Sequence, residues 1–416
     1  MKKLIFGILL FTYFTALSAD NDWNFTGQIQ LRSEIDGRDF FDKSRALNYT
    51  SMRTRLSVTN NFFENLNFFV QIQDSRIFGS VPNTLSSINN LDIHQANVTI
   101  KEPLGIPISV KAGRFELNYG TQRFIGPVGW HYVGRSFDGA VLNYNPGVNI
   151  DVFALTTYNG QKYIANPVPA LYPDTLLPSN TSSIYGFWSK KDFEKSHVFD
   201  LFGYYEINRL KTLNGNPALS LGTLGLNYNG IFGNFSTIFE AAYQIGSMSN
   251  LDVSAYLVSL QGNYKAGSFS FGAGADILSG TEPDETKKYN TFAVSYGTNH
   301  KFYGYMDYFI NIPLNTNQLG LRDFYALAKW IPVDTDFNFG ADFHMFTSDK
   351  KFSGDKSSFG NEIDLTVNYK VNKGTTITWG GSVFMPGELM KLMFSTQKNT
   401  KEDTAFWTYL MIQANL

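Results

Sequence analysis

The side chains best equipped to do chemistry in this chain are arginines, and they crowd into its first third. Arg32, Arg53, Arg55, Arg76, Arg114, Arg123 and Arg135 all fall there, with Lys111 among them. A guanidinium is permanently charged, and its planar fork takes a carboxylate through two parallel hydrogen bonds. Several such groups around a water-filled passage concentrate anions and reject cations. The acidic residues Glu34, Asp74, Glu116 and Asp138 are interleaved with them. These acids would fix arginine rotamers and temper affinity, so that a bound anion also leaves. The competing reading is a lattice of salt bridges that only holds the shape of a wall. For any single arginine it weighs as much as the first; for the cluster it weighs less.

Other chemistries lack their residues. The chain has no cysteine, which excludes disulfides, thiolate metal sites and a cysteine nucleophile. Its five histidines, His94, His131, His197, His300 and His344, show no HExxH or comparable ligand spacing. His131 and Ser136 are the nearest pair for a hydrolase, but both sit in a predicted loop without an orienting partner. No GxSxG, P-loop or dinucleotide fingerprint occurs, so no catalytic residue, metal or cofactor is expected. Net charge is −2, which gives no global attraction for nucleic acid. The aromatic run Phe302 to Phe309 would suit sugar stacking, although a loop packed inside the lumen accounts for it better. The acidic run Glu282 to Glu285 reads as a solvated loop before it reads as a cation site.

The elements that would position the arginines are β-strands crossing a membrane. Only 17% of residues are charged, against about 25% in soluble proteins. Aromatic residues reach 16%, with 37 Phe and 23 Tyr, yet mean hydropathy is −0.18. Lipid-facing and lumen-facing residues that alternate along strands cancel in that average, whereas apolar spanning helices would raise it. Alternation with period two recurs along the whole chain. Leu66, Phe68, Val70 and Ile72 oppose Asn67, Phe69 and Gln71; Ile363, Leu365, Val367 and Tyr369 oppose Glu362, Asp364, Thr366 and Asn368. Strands are predicted at 23–36, 47–61, 65–78, 91–101, 107–117, 137–146, 148–158, 182–191, 197–208, 219–229, 234–246, 251–265, 267–277, 319–331, 335–347, 358–371, 374–385 and 403–416.

The fold class is therefore all-β, a transmembrane antiparallel barrel of about 18 strands with short periplasmic turns and long outer loops. The links support it: 37–46, 79–90 and 118–136 are long, while 62–64 and 102–106 between them are short. Later long links fall at 159–181, 278–318 and 386–402, and only 247–250 is a short outer one. Asn145-Pro146-Gly147 and Asn229-Gly230 are placed in tight turns. The chain ends in a strand, as barrels read by the assembly machinery do, although its last residue, Leu416, is not aromatic. Lys2 and Lys3, an apolar run from Leu4 to Leu17 and the small residues near Ala19 read as an export signal over residues 1–19. The barrel then occupies 20–416, in contact with outer-membrane lipid.

The segments Gly113-Arg114-Phe115-Glu116-Leu117-Asn118-Tyr119-Gly120-Thr121-Gln122-Arg123, Trp130 and Arg135-Ser136-Phe137-Asp138-Gly139 resemble the family of outer-membrane alginate-export porins. Arg32 to Gly37 and Met52-Arg53-Thr54-Arg55 fit the same pattern. The resemblance implies a monomeric barrel whose arginine-rich constriction passes an anionic polyuronate, with Arg32, Arg53, Arg55, Arg114, Arg123 and Arg135 carried over to that constriction. Two functions follow as expectations. One is a channel for an anionic oligo- or polysaccharide or for smaller anions. The alternative is a plugged structural or adhesive barrel whose outer loops bind a partner.

Overall fold

The computed structural model describes residues 23–40, 45–79, 90–159, 181–194, 196–211, 217–394 and 403–416. The expected signal peptide lies outside them, as do parts of several long links. The strands in chain order are β1 (Asn24–Gly37), β2 (Leu47–Phe62), β3 (Leu66–Ile77), β4 (Leu91–Lys101), β5 (Ile108–Phe115), β6 (Phe137–Tyr144), β7 (Asn149–Asn159), β8 (Thr181–Phe193), β9 (His197–Lys211), β10 (Pro217–Phe232), β11 (Phe235–Met248), β12 (Leu251–Ala266), β13 (Phe269–Leu278), β14 (Lys288–Tyr289), β15 (Leu321–Trp330), β16 (Phe337–Phe352), β17 (Lys356–Lys370), β18 (Thr375–Pro386) and β19 (Ala405–Asn415). Each long strand pairs antiparallel with the next, and β19 returns to β1. The two-residue β14 lies parallel to the start of β12 outside this cycle. Eighteen spanning strands thus close a barrel. Closure leaves no edge, so every strand amide in lipid finds a partner. No helix among the described residues is long and apolar enough to cross a membrane.

Strand faces follow what each must touch. On β12, Tyr256, Val258 and Leu260 are exposed toward lipid, while Val253, Ala255, Leu257 and Ser259 between them are buried. The inner face is partly apolar here because the barrel is filled. Two links fold into the lumen, residues 116–136 and 279–320. Their Phe124, Ile125, Phe292, Tyr303, Met306 and Phe309 pack on inward Phe115, Phe202, Phe346, Phe384 and Trp407. The aromatic run 302–309 is thus the packed lumenal loop that the sequence favoured.

Some boundaries differ from expectation. Strands β16 and β17 extend past the region of clean alternation, leaving only Ser353–Asp355 between them, a second short outer link. Strand β10 runs on to Phe232, so Asn229-Gly230 lies within it, and the turn falls at Gly233, whose φ is +62°. In both cases the strand continues beyond the hydrocarbon zone, where facing water on both sides removes the alternation signal. The inward and outward assignment itself is testable. Val70→Arg, on the lipid side, should cost about 2–4 kcal/mol of barrel stability at mid-bilayer, while Gln71→Arg, facing the lumen, should cost much less. Urea unfolding in micelles reads the difference; equal costs would mean that the register is wrong.

Candidate functional site

The pairing of β1 with β2 builds the site. Register sets Gln28 opposite Arg55, Gln30 opposite Arg53, and Arg32 opposite Ser51. These side chains share the inward face, so Arg55, Arg53 and Arg32 climb in that order from the periplasmic end. Successive steps of two residues rise by roughly 7 Å. All three arginines are buried, at 7%, 3% and 6% exposure. A buried guanidinium cannot shed its proton and needs its donors satisfied. Arg32 Nε donates to Glu34 at 2.7 Å, and the other Glu34 oxygen accepts from Tyr49 and Trp407. Arg55 donates to Gln73 at 2.6 Å and to Glu116 at 3.0 Å. Burial pushes the Glu116 carboxyl up, but His94 and Arg55 outweigh it and hold it below the usual carboxylate range. Two charges in the row are therefore balanced. Arg53 is different: it donates to Gln28 Oε1 and to two backbone carbonyls, and has no carboxylate partner among the described residues.

Those carbonyls belong to a strap, residues 129–133, within the first lumenal link. Its backbone is laid along the arginine row. The carbonyls of Gly129 and His131 accept from Arg53, at 3.0 and 2.8 Å, and that of Trp130 accepts from Arg32 at 2.8 Å. Tyr132 O takes the Ser75 hydroxyl at 2.7 Å, and Val133 O takes Gln73 Nε2 at 2.8 Å. Five consecutive carbonyl oxygens are thus held by the wall. Gly134 closes the strap with φ +77°, and a Cβ there would come 2.5 Å from Arg55 Nη2. Only glycine lets the chain approach so closely. Trp130 lies under the Arg32 guanidinium, 4.1 Å from ring centroid to Cζ, and stacks on His300 of the second loop at 4.2 Å.

The remaining sequence-predicted residues scatter. Arg123 leaves the row entirely. It donates to Glu240 at 2.6 Å, to Asp276 at 2.9 Å, to Ser259 and Tyr303 at 3.0 Å, and lies 4.0 Å over Phe302. This is a fully buried hub on the opposite wall, with its donors spent on the protein. Arg135 donates to Gly297 O at 3.1 Å, tying the two lumenal loops together. Lys111 points inward, 5.7 Å from the Phe115 ring. Arg76 and Arg114 face outward, a correction to the expectation. Arg76 sits opposite Met52 and pairs with Asp74; Arg114 pairs with Asp138 at 2.9 Å. Both pairs lie at the outer ends of their strands, where charge on the lipid side meets headgroups and water. They and Asp138 line no pore.

Sequence reading missed several contributors. His94 is turned inward where the β3–β4 register slips between Gln71 and Ile72. Its Nε2 lies 2.7 Å from Glu116 and 2.8 Å from Arg55, so it either donates to the acid or accepts from the arginine. Ser136 Oγ is 3.3 Å from both ring nitrogens and donates to the His94 carbonyl at 2.6 Å, which is no nucleophile geometry. Away from the row the wall is acidic: Glu240 and Asp276 on the opposite side, and Asp323, Glu362 and Asp364 on the strands leading back to β1, are all buried. Glu362 accepts the Met306 amide at 2.8 Å and so anchors the second loop. Arg38 also holds that loop, gripping Asp36 and donating to Met306 O at 3.1 Å. The inward parity of Glu362 and Asp364 was readable; what they hold was not. Glu285 in the acidic outer run accepts the Lys287 amide of its own turn, and no group of potential metal ligands occurs among the described residues.

Comparison with known proteins places this geometry. A family model described as alginate export matches residues 22–401. Solved structures share the fold at low identity. Pseudomonas aeruginosa OccK5 (OpdH) has 13% identity and a TM-score of 0.58, over 94% of this chain and 98% of that one. Acinetobacter baumannii OccAB1 has 12% identity and a TM-score of 0.60, over 94% and 96%. Pseudomonas aeruginosa OpdK, solved with vanillate, has 10% identity and a TM-score of 0.57, over 94% and 98%. A search of curated proteins found no match in sequence. With its model covering nearly the whole barrel, the chain belongs to the alginate export family and is an outer-membrane channel protein, not an enzyme.

Proposed function

We propose that this channel passes carboxylate-bearing anions, polyuronate chains among them, and that Arg32, Arg53 and Arg55 select them. The observation that carries this reading is Arg53, a buried positive charge on the lumen wall that pairs with no carboxylate among the described residues. At an effective dielectric of about 20, a unit charge 4 Å away is worth about 4 kcal/mol, and salt screens it over about 8 Å. A carboxylate is the partner that Arg53 lacks. The balanced neighbours, Arg32 with Glu34 and Arg55 with Glu116, would hand such a group along without trapping it. Lys111 adds positive charge to the same lumen, and Arg123 and Arg135 act through the loops they hold. OpdK, which shares the fold, was solved with vanillate, a carboxylate, and that agrees with the reading. The protein would work as a monomer, placed in the membrane by the barrel assembly machinery after export with a cleaved signal.

The filled lumen favours a second reading, a plugged structural or adhesive barrel. Purified, folded protein in planar bilayers separates the two. We expect discrete conductance with a reversal potential toward anions in a salt gradient. Folded protein without any conductance supports the plugged barrel.

A further inference from the structure

The strap occupies the arginine row in the way a chain of solute oxygens would. Its five consecutive carbonyls, Gly129 to Val133, each accept from a wall side chain of β1, β2 or β3. No other described run of the lumenal loops offers five consecutive backbone oxygens to wall side chains. Beneath the strap, on the periplasmic side of Arg55, lies a polar pocket of about 210 Å³ lined by Thr26, Gln28, Arg55, Ser57, Gln71 and Asn415. That volume is below the usual range for drug-sized ligands, and matches one hydroxylated ring bearing one acid group. The pocket and the strap share Arg55, and Gln28 links the pocket to Arg53 through a 2.8 Å hydrogen bond.

We infer that the strap is a resident stand-in for the solute, and that a sugar-acid unit seated in the pocket displaces it. The inference rests on the anion-channel reading. A carboxylate is a stronger acceptor for guanidinium than a neutral amide carbonyl, since charge-assisted hydrogen bonds are about twice as strong. A sugar acid arriving at Arg55 therefore competes first with Val133 O, which is held there at 3.4 Å, then with His131 O and Gly129 O on Arg53. At Arg55 the exchange leaves Val133 O on Gln73 alone, and each exchange at Arg53 frees one strap oxygen to water and leaves an acid group on the row. The hinge ends are Val128 at φ +53° and Gly134 at φ +77°. The empty channel thus conducts with the strap in place, and its own cargo widens the passage by displacing it.

The absence of cysteine makes a clean test available. In the Ser75→Cys/Tyr132→Cys variant, oxidation or a short bis-thiol crosslinker fastens the strap to β3, and reductant frees an oxidised pair. With trigalacturonate on the periplasmic side of a planar bilayer, the reduced channel should show a several-fold rise in chloride conductance, and the locked channel none. As a second readout on unlocked protein, trigalacturonate should shift the Trp130 emission, taken as the difference between the parent and Trp130→Phe. Equal responses of locked and reduced channels, or an unmoved Trp130 signal, overturn the strap inference and leave the anion reading standing. Unchanged ion preference in Arg53→Ala/Arg55→Ala removes the anion reading, and the strap inference with it.

Discussion

Arg123→Met should be the most damaging single substitution in the lumen, at about 3–5 kcal/mol. Its guanidinium is the counter-charge for Glu240 and Asp276, both buried with about 1% exposure. Removing it strands two carboxylates away from water while methionine fills most of the space. The damage should spread, because Arg123 also donates to the Tyr303 hydroxyl and lies on Phe302, which fix the second lumenal loop against the first. Urea unfolding in micelles should show the loss, and unheated protein should lose its compact migration on a denaturing gel at lower temperature. A cost below about 1 kcal/mol would mean that water reaches the cluster, as at a solvated surface pair, and that Arg123 belongs to the open passage after all.

That residue also marks where sequence reading stops. The strands were legible because lipid demands an apolar face along each one, and the lumen relaxes that demand on the other. From Leu66 to Ile72 and from Glu362 to Tyr369 the chemistry reports the face directly. At the outer rim the demand ends. Arg76 continues the face of Val70 and Ile72, and counting in twos places it outside; its charge alone suggested the lumen. Arg114 follows Val110 and Ala112 in the same way. His94 escaped because the register slip turning it inward leaves no signature in a single sequence. The partners of Arg123 lie 117 and 153 residues away. No local pattern links a loop arginine to strands that far along the chain, so its type was readable and its role was not. The row itself was readable, since Arg53 and Arg55 share one face of β2 and Arg32 sits inward on the paired strand. What the sequence hid is that a strap of the same chain lies across it.

The second large effect concerns selectivity. Arg53→Ala/Arg55→Ala removes the one unbalanced charge of the row and one of its balanced ones. Losing even about 1.4 kcal/mol of attraction lowers affinity for a carboxylate about tenfold, and the loss should be largest at low salt, where screening is weakest. The barrel should survive. Glu116, freed from Arg55, is a quarter exposed and can hydrate, and the backbone pairing of β1, β2 and β3 is untouched. Because both arginines hold strap carbonyls, conductance should hold or rise even as preference falls. Loss of folding instead would mean that the row is chiefly a lattice.

The measurement that bears most directly on the central claim is the reversal potential of the native channel and of Arg53→Ala/Arg55→Ala under the same salt gradient in planar bilayers. The native channel should favour anions, and the double variant, folded and conducting, should move toward no preference and lose its response to trigalacturonate. An identical reversal potential in the two would contradict the account.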